Sequence, residues 1–230
     1  MPMVEVPEVV VLNCGIPQRF TAYSLANLKK YKEYNDIYRN CCKYTKNLST
    51  ALTRGIGVCL FGPATNFRQY AFFGLAKAAI AQKKSVQILD VEDVIQAHSD
   101  GSPLYAACHK VDFLAIPEMD LPESVVNTYY KSIIFKLFKK RSASGKPTIL
   151  GTTLEVIHPD ASLDMLYPGI GQFIVSDTIL MNFDFNNNCE WIRKGHKMKL
   201  SSLATLKGSM SPKVKEKTRL KIKTSAGVEG

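Results

Sequence analysis

Short apolar runs alternate with longer segments of helical pattern through the middle of the chain. The runs are typical of buried β-strands and occupy residues 55–62, 85–89, 111–116 and 147–152. The segments between them, such as residues 67–82 and the stretch from Pro122 to about Lys140, fit helices. Parallel strands need crossover connections, which are usually helical. The alternation therefore predicts an α/β fold in which a parallel sheet is flanked by helices.

The two ends of the chain are less regular. Residues 24–48 carry apolar and aromatic side chains at helical spacing, and Ser24 is a candidate N-cap, so we predict one long helix. Residues 173–185 fit one or two strands. We expect one domain over residues 1–192, of which residues 1–54 are a lead-in and a helix. Residues 193–230, rich in Ser, Lys and Gly, are interpreted as a mobile basic tail.

The excess positive charge is confined to one segment. The chain carries a formal net charge of +10, and residues 193–223 hold eleven basic side chains against the single acid Glu216. Such a segment predicts contact with nucleic-acid phosphates, and a solubilising tail is the alternative. The candidate contact residues are Arg193, Lys194, Lys197, Lys199, Lys207, Lys213, Lys215, Lys217, Arg219, Lys221 and Lys223.

Other features suggest surfaces without deciding a function. Tail residues include no aromatic side chain beyond Trp191 at the edge, so base stacking is not predicted there. The first helical region instead carries tyrosines that fit either an interaction stripe or packing against the core. They are Tyr23, Tyr31, Tyr34, Tyr38 and Tyr44. Basic residues 139–141 and Lys146 surround a predicted helix end, where they suit the helix dipole or a share in DNA contact.

Several classes of protein are not favoured. The six cysteines and four histidines lack the clustered spacing of a metal site, so we predict no metal. No apolar run approaches the roughly 20 residues of a membrane span, and the first residues lack a basic signal-peptide region. We therefore expect a cytoplasmic protein that makes no membrane contact.

The first strand leads into a loop that has the position, but not the chemistry, of a phosphate-binding loop. Such loops read GxxxxGK[ST], with glycines that open the backbone, a lysine that neutralises phosphate and a hydroxyl that holds Mg²⁺. Here Gly62 opens the loop, but Phe67, Arg68 and Gln69 stand in the last three positions. Arg68 lies at a helix N-terminus and is either a residual phosphate contact or a solvated loop residue.

The strand over residues 111–116 ends with a second altered element. An ATPase strand of this kind ends in Asp-Glu, with the Asp on the metal's water shell and the Glu on the attacking water. Pro117 stands in the place of the Asp, and Glu118 remains. Proline cannot bind a metal or its water. Glu118 is therefore a vestigial candidate for a catalytic base or, in the simpler interpretation, a carboxylate paired with a nearby cation.

The order of these motifs resembles the DnaC/DnaI family of AAA+ replicative helicase loaders. It is equally similar to the ATP-dependent accessory proteins of transposition. The resemblance covers about residues 14–157 and rests on GIPQRF (15–20), GVCLFGP (57–63), VDFLAIPEM (111–119) and KPTILGTTLE (146–155). It implies a P-loop NTPase core of the AAA+ type, assembly on single-stranded DNA and contact with a ring helicase or a transposase. The resemblance also aligns Thr153 with the family's polar sensor residue.

Together these features predict a pseudo-ATPase rather than an enzyme. The expected protein is a non-hydrolysing AAA+-like accessory factor in DNA replication or recombination, with no required cofactor and no ATP hydrolysis. It would bind DNA, expected to be single-stranded, through its basic segment and dock on a replicative helicase, on related AAA+ subunits or on copies of itself. Two alternatives stay open: a viral or mobile-element decoy that inhibits a host loader, and a divergent ATPase that uses Arg68 and Glu118.

Overall fold

A computed structural model describes residues 13–121, 127–154 and 162–183 of the chain. Its centre is a five-stranded sheet in which every described strand pairing is parallel. The strands are β1 (Gly57–Phe61), β2 (Val86–Ile88), β3 (Phe113–Ile116), β4 (Thr148–Thr152) and β5 (Thr178–Asn182). Their order across the sheet is β2-β3-β4-β1-β5. The predicted parallel α/β sheet is confirmed, and its four predicted strands lie within a few residues of their expected ends.

Helices cover both faces of this sheet. Those before and after β1 are α1 (Leu25–Lys29), α2 (Asn35–Lys46), α3 (Leu48–Arg54) and α4 (Asn66–Ala81). The following ones are α5 (Val91–Ser99), α6 (Pro103–Lys110), α7 (Thr128–Ala143), α8 (Ser162–Leu166) and α9 (Ile170–Asp177). The alternating side chains of β1 divide between two apolar layers, with Val58 and Leu60 on the side of α4 and Cys59 on the side of α7.

The helix predicted over residues 24–48 is broken, which corrects the sequence prediction. Ser24 does begin a helix, with the Asn27 side chain accepting from the Ser24 backbone amide at 3.0 Å. That helix ends at Lys29, and Tyr31 takes an extended backbone with φ −119° before a single 3₁₀ turn over Lys32–Tyr34. The break carries the ring of Tyr31 to the start of α4, so tertiary packing overrides the continuous helical pattern.

Residues 170–177 form a helix where the sequence suggested a strand, which is a second correction. Gly169, with φ +83°, precedes the helix, and the Asp164 carboxylate accepts from the backbone amides of Gly169 and Gly171. Ile170 and Ile174 are buried one helical turn apart. The β-branched residues favour a strand by propensity. The hydrogen bonds to Asp164 and the burial of Ile170 and Ile174, four residues apart, favour a helix instead. The strand begins only at Thr178.

Arg141, expected on a solvated helix end, is instead buried with 2% of its surface exposed. Its guanidinium donates to the backbone carbonyls of residues 108, 111, 112 and 147 and to the Thr148 hydroxyl. Lys146, nearby, pairs with Asp112 at 3.6 Å. Arg141 therefore connects the ends of α6, β3 and β4 by donating to backbone carbonyls that lie outside the helix and strand hydrogen bonding. Because its side chain is buried, Arg141 is not accessible to DNA.

Candidate nucleotide site

The site lies at the carboxyl ends of β1, β3 and β4, where α/β proteins bind their ligands. Gly62 follows β1 with φ +115°, a backbone conformation that favours glycine, and its amide donates to the Thr152 carbonyl at 3.1 Å. The loop over residues 62–65 leads directly into α4. Thr65 is the N-cap, and its hydroxyl accepts from the Arg68 amide at 3.4 Å.

The side chain of Arg68 turns back into this loop. Only 3% of it is exposed. Its Nη1 donates to the Gly62 carbonyl at 2.8 Å, and its Nη2 pairs with Glu118 Oε2. Arg68 is therefore not the solvated loop residue that the sequence left open. The guanidinium is buried and joins the loop after β1 to the segment after β3.

Phe67 anchors the start of α4 to the N-terminal helices. Its ring stacks on Tyr34 at a centroid distance of 4.3 Å and meets Tyr31 edge to face at 4.7 Å. The backbone at this position is helical and carries a bulky side chain, whereas a phosphate loop has an open glycine here. Gln69, in the position of the Mg²⁺-binding hydroxyl, is half-buried in the first turn of the helix.

The segment after β3 runs tightly along β4. The Met119 amide donates to the Gly151 carbonyl at 2.8 Å. A Cβ atom at position 151 would lie 2.0 Å from the Pro117 carbonyl oxygen, so glycine is required for this close approach. Pro117 thus contributes its backbone to the contact between this segment and β4.

Glu118 and Asp120 form a carboxyl pair at this edge of the sheet. Burial and the hydrogen bond with Asp120 raise the pKa of Glu118 to about 8, against the opposing effect of Arg68. Although burial acts in the opposite direction, hydrogen bonds from Glu118, Thr152 and Thr153 lower the pKa of Asp120. At neutral pH the pair therefore shares one proton, carried by Glu118.

Asp120 is the site residue that sequence reasoning missed. Its carboxylate accepts from the Thr153 amide at 2.6 Å and from the hydroxyls of Thr152 and Thr153. The available signal was a second carboxylate two residues beyond Glu118, at the end of a strand that neighbours a strand ending in two threonines. Parallel strands bring such ends together. Asp120 connects Glu118 to Thr153, the candidate sensor residue.

The structure brings four of the candidate residues into one polar cluster. Arg68 contacts both Gly62 and Glu118, and Thr153 joins them through Asp120. Gln69 lies one residue further along the helix. All eleven basic candidates of residues 193–223 fall outside the described residues. Within the described ranges, no group of three or more metal-ligating side chains is found, and no helix is long and apolar enough to cross a membrane.

No protein-family model and no curated protein matches the sequence, whereas solved structures do match the fold. The DnaC helicase loader superposes with a TM-score of 0.62 at 14% identity, over 73% of this chain and 100% of that one. DnaI gives 0.57 at 14% identity, over 76% of this chain and 95% of that one. AMPPCP-bound DnaA from Aquifex aeolicus gives 0.56 at 15% identity, over 77% of this chain and 55% of that one.

The chain has the AAA+ P-loop fold. It matches the full length of the DnaC structure but only about half of the DnaA structure. At these identities the likeness concerns the fold, so the role of each side chain must come from its own surroundings. The AAA+ fold does explain why the Arg68 cluster sits where it does, because the loop after β1 and the end of β3 are where such proteins hold nucleotide and metal.

Proposed function

We propose that this chain is a non-hydrolysing, AAA+-like accessory protein of DNA replication or recombination. It docks on a replicative helicase or on related ATPase subunits in the cytoplasm, and it holds one conformation whether or not ATP is present. The observation that carries the proposal is the inward pairing of Arg68 with Glu118 and the Gly62 carbonyl. In this proposal the Arg68 guanidinium lies where the phosphates of a bound nucleotide would meet the lysine that neutralises them.

Phosphate binding would require Arg68 to leave both partners. The Glu118 carboxyl and the Gly62 carbonyl would then lose their guanidinium donor, which disfavours the exchange. The loop offers little in return, because Phe67 replaces the open glycine and its ring is held by Tyr31 and Tyr34. These contacts support a loop that is closed to ATP.

Metal-assisted hydrolysis is disfavoured on separate grounds. Pro117 offers no side-chain oxygen, and Gln69 offers an amide in place of the hydroxyl. The raised pKa of Glu118 keeps it protonated near neutral pH, where a general base must be charged. Asp120 is committed to hydrogen bonds with both threonines. Both metal-binding elements of an ATPase are therefore altered together.

The proposed partners are inferred from the fold and from the basic segment over residues 193–223. The solved structures that this chain matches over nearly their whole length include the DnaC helicase loader, DnaI and a primosome component from Streptococcus pyogenes serotype M3. The basic residues 193–223 supply a phosphate-binding segment of the kind that contacts DNA without reading its sequence. We assign single-stranded DNA to this segment and a motor or loader subunit to the AAA+ body.

The test is binding of a labelled single-stranded oligonucleotide, followed by anisotropy with and without Mg-ATP. The proposal predicts binding that weakens steeply with salt and is the same in both nucleotide conditions. Replacing the tail lysines and arginines by glutamine abolishes it. Binding that tightens with Mg-ATP contradicts the nucleotide-independent state. Co-purification with a loader or helicase that needs no DNA, together with no oligonucleotide binding, would instead favour the decoy.

A further inference from the structure

The described body carries a line of aromatic side chains beside the altered loop. We call it the aromatic strip: Phe20, Tyr23, Tyr70, Phe67 and Tyr31. Successive ring centroids along it are 5.1, 4.5, 6.2 and 4.7 Å apart. Tyr31 is 39% exposed, the three middle rings are half-buried, and Phe20 is buried. The strip therefore presents ring surface to solvent at one end and is packed into the core at the other.

The strip is held in place by contacts beneath it. Phe67 and Tyr70 project from α4, and the Tyr23 hydroxyl reaches Asn66 on the same helix at 3.5 Å. The half-buried Lys77 ammonium donates to the carbonyls of Phe20, Thr21 and Tyr23 and so fixes the turn that carries the first two rings. Rings fixed in this way lose little freedom when a ligand stacks on them.

Cations flank the strip at both ends. Lys29, Lys30 and Lys32 surround Tyr31 in one short turn, all are exposed, and none forms an ion pair within the described part of the chain. Glu33 is the acid in that turn. At the other end the Arg19 guanidinium lies 4.6 Å from the Phe20 ring centroid.

We propose that the aromatic strip and the lysines around Tyr31 bind single-stranded nucleic acid on the AAA+ body. Fixed rings with adjacent cations are the combination that stacks bases and neutralises the backbone between them. A duplex is not the ligand, because paired and stacked bases have no free face to offer Tyr31. The inference rests on the proposed function and deepens it by adding a contact on the AAA+ body to the one made by the basic tail.

Tyr31 is the residue to change first, in the full chain, with a fluorescein-labelled oligothymidylate as the probe. Tyr31→Leu removes the exposed ring, and we expect it to weaken binding by about tenfold, as loss of one stacked base does. Tyr31→Phe keeps the ring and retains binding. Tyr129→Leu is the matched control, because Tyr129 is 50% exposed on α7, away from the strip, and its loss leaves binding unchanged.

Two further measurements separate stacking from charge. On an abasic oligomer of the same length, Tyr31→Leu and the unaltered protein should bind alike. Replacing Lys29, Lys30 and Lys32 by Gln should lower the slope of log Kd against log salt by about 2. The charge-matched control replaces Lys46, at the end of α2, and Lys83 and Lys84, just after α4, and leaves the slope unchanged. Lys46 and Lys83 are exposed and Lys84 is half-buried.

The outcomes distinguish the strip from the tail. If Tyr31→Leu binds as tightly as Tyr129→Leu, the strip is not a binding site, even where neutralising the tail abolishes binding. If the tail-neutralised chain still binds and loses that binding with Tyr31→Leu, the strip stands and the tail assignment falls. Equal losses from Tyr31→Leu and Tyr31→Phe would also overturn the inference, because the phenylalanine ring still stacks.

Discussion

Arg68 and Glu118, fifty residues apart in the chain, meet at the carboxyl ends of β1 and β3, where the buried Arg68 guanidinium pairs with the half-buried Glu118 carboxyl. In this fold that position ordinarily serves a nucleotide and its metal. Arg68 and Glu118 also make contacts with the residues around that position. Through the Gly62 carbonyl the pair fixes the loop, and through Asp120 it reaches the threonines at the end of β4. The altered residues therefore form a consistent internal network.

Arg68 is predicted to stabilise the fold. Replacing it by methionine leaves the Gly62 carbonyl and Glu118 without their donor, and we expect a loss of about 2–3 kcal/mol in the free energy of unfolding. Urea unfolding measures this loss. The double variant Arg68→Met with Glu118→Gln should lose less than the sum of the two single variants, because the pair is coupled. Strict additivity would show that Arg68 and Glu118 do not interact in solution.

The protonation of Glu118 gives the stability a specific pH dependence. The folded pKa of about 8 lies above the usual value for a glutamate, so the folded state holds a proton that the unfolded state releases. The stabilising contribution is therefore complete below the ordinary glutamate pKa of 4.5 and is lost progressively as the pH rises to about 8. Over that window, the urea midpoint should fall more for the unaltered protein than for Glu118→Gln.

The control for that pH dependence is Glu33→Gln, which changes an exposed carboxylate. Its pH profile should parallel that of the unaltered protein. If Glu118→Gln gives the same profile as well, Glu118 does not carry the proton.

Among the basic residues at the end of α7, Arg141 is predicted to contribute most to the free energy of unfolding. Its removal leaves buried backbone carbonyls in three segments without a donor, and we expect Arg141→Met to cost about 4 kcal/mol. Lys140→Met, one residue earlier and exposed, should stay within about 0.5 kcal/mol of the unaltered protein. Thermal unfolding compares them, and equal losses would show that the Arg141 contacts are not stabilising.

The strands were predictable from the sequence because each depends on a local pattern. The apolar run before Gly62, for example, gives β1. The pairing of Arg68 with Glu118 has no local signal, since it depends on which strands become neighbours. Asp120 was missed for the same reason.

The errors in secondary structure have a related cause. Residues 170–177 are β-branched enough to suggest a strand, yet the Asp164 carboxylate and the burial of Ile170 and Ile174 make them a helix. The first predicted helix breaks at Tyr31 because that ring packs on Phe67. In both places a specific side-chain contact has a larger effect than the periodic sequence pattern.

The most direct test of the central claim is the thermal unfolding of the full chain with and without saturating Mg-ATP. We predict no change in Tm, because Arg68 and Glu118 occupy the phosphate position themselves. A ligand at a hundred times its Kd would add about 2.7 kcal/mol, which for a domain of this size raises Tm by about 5–10 °C. A saturable rise of that size, lost in Arg68→Met, would contradict the account and mean that the loop still binds nucleotide.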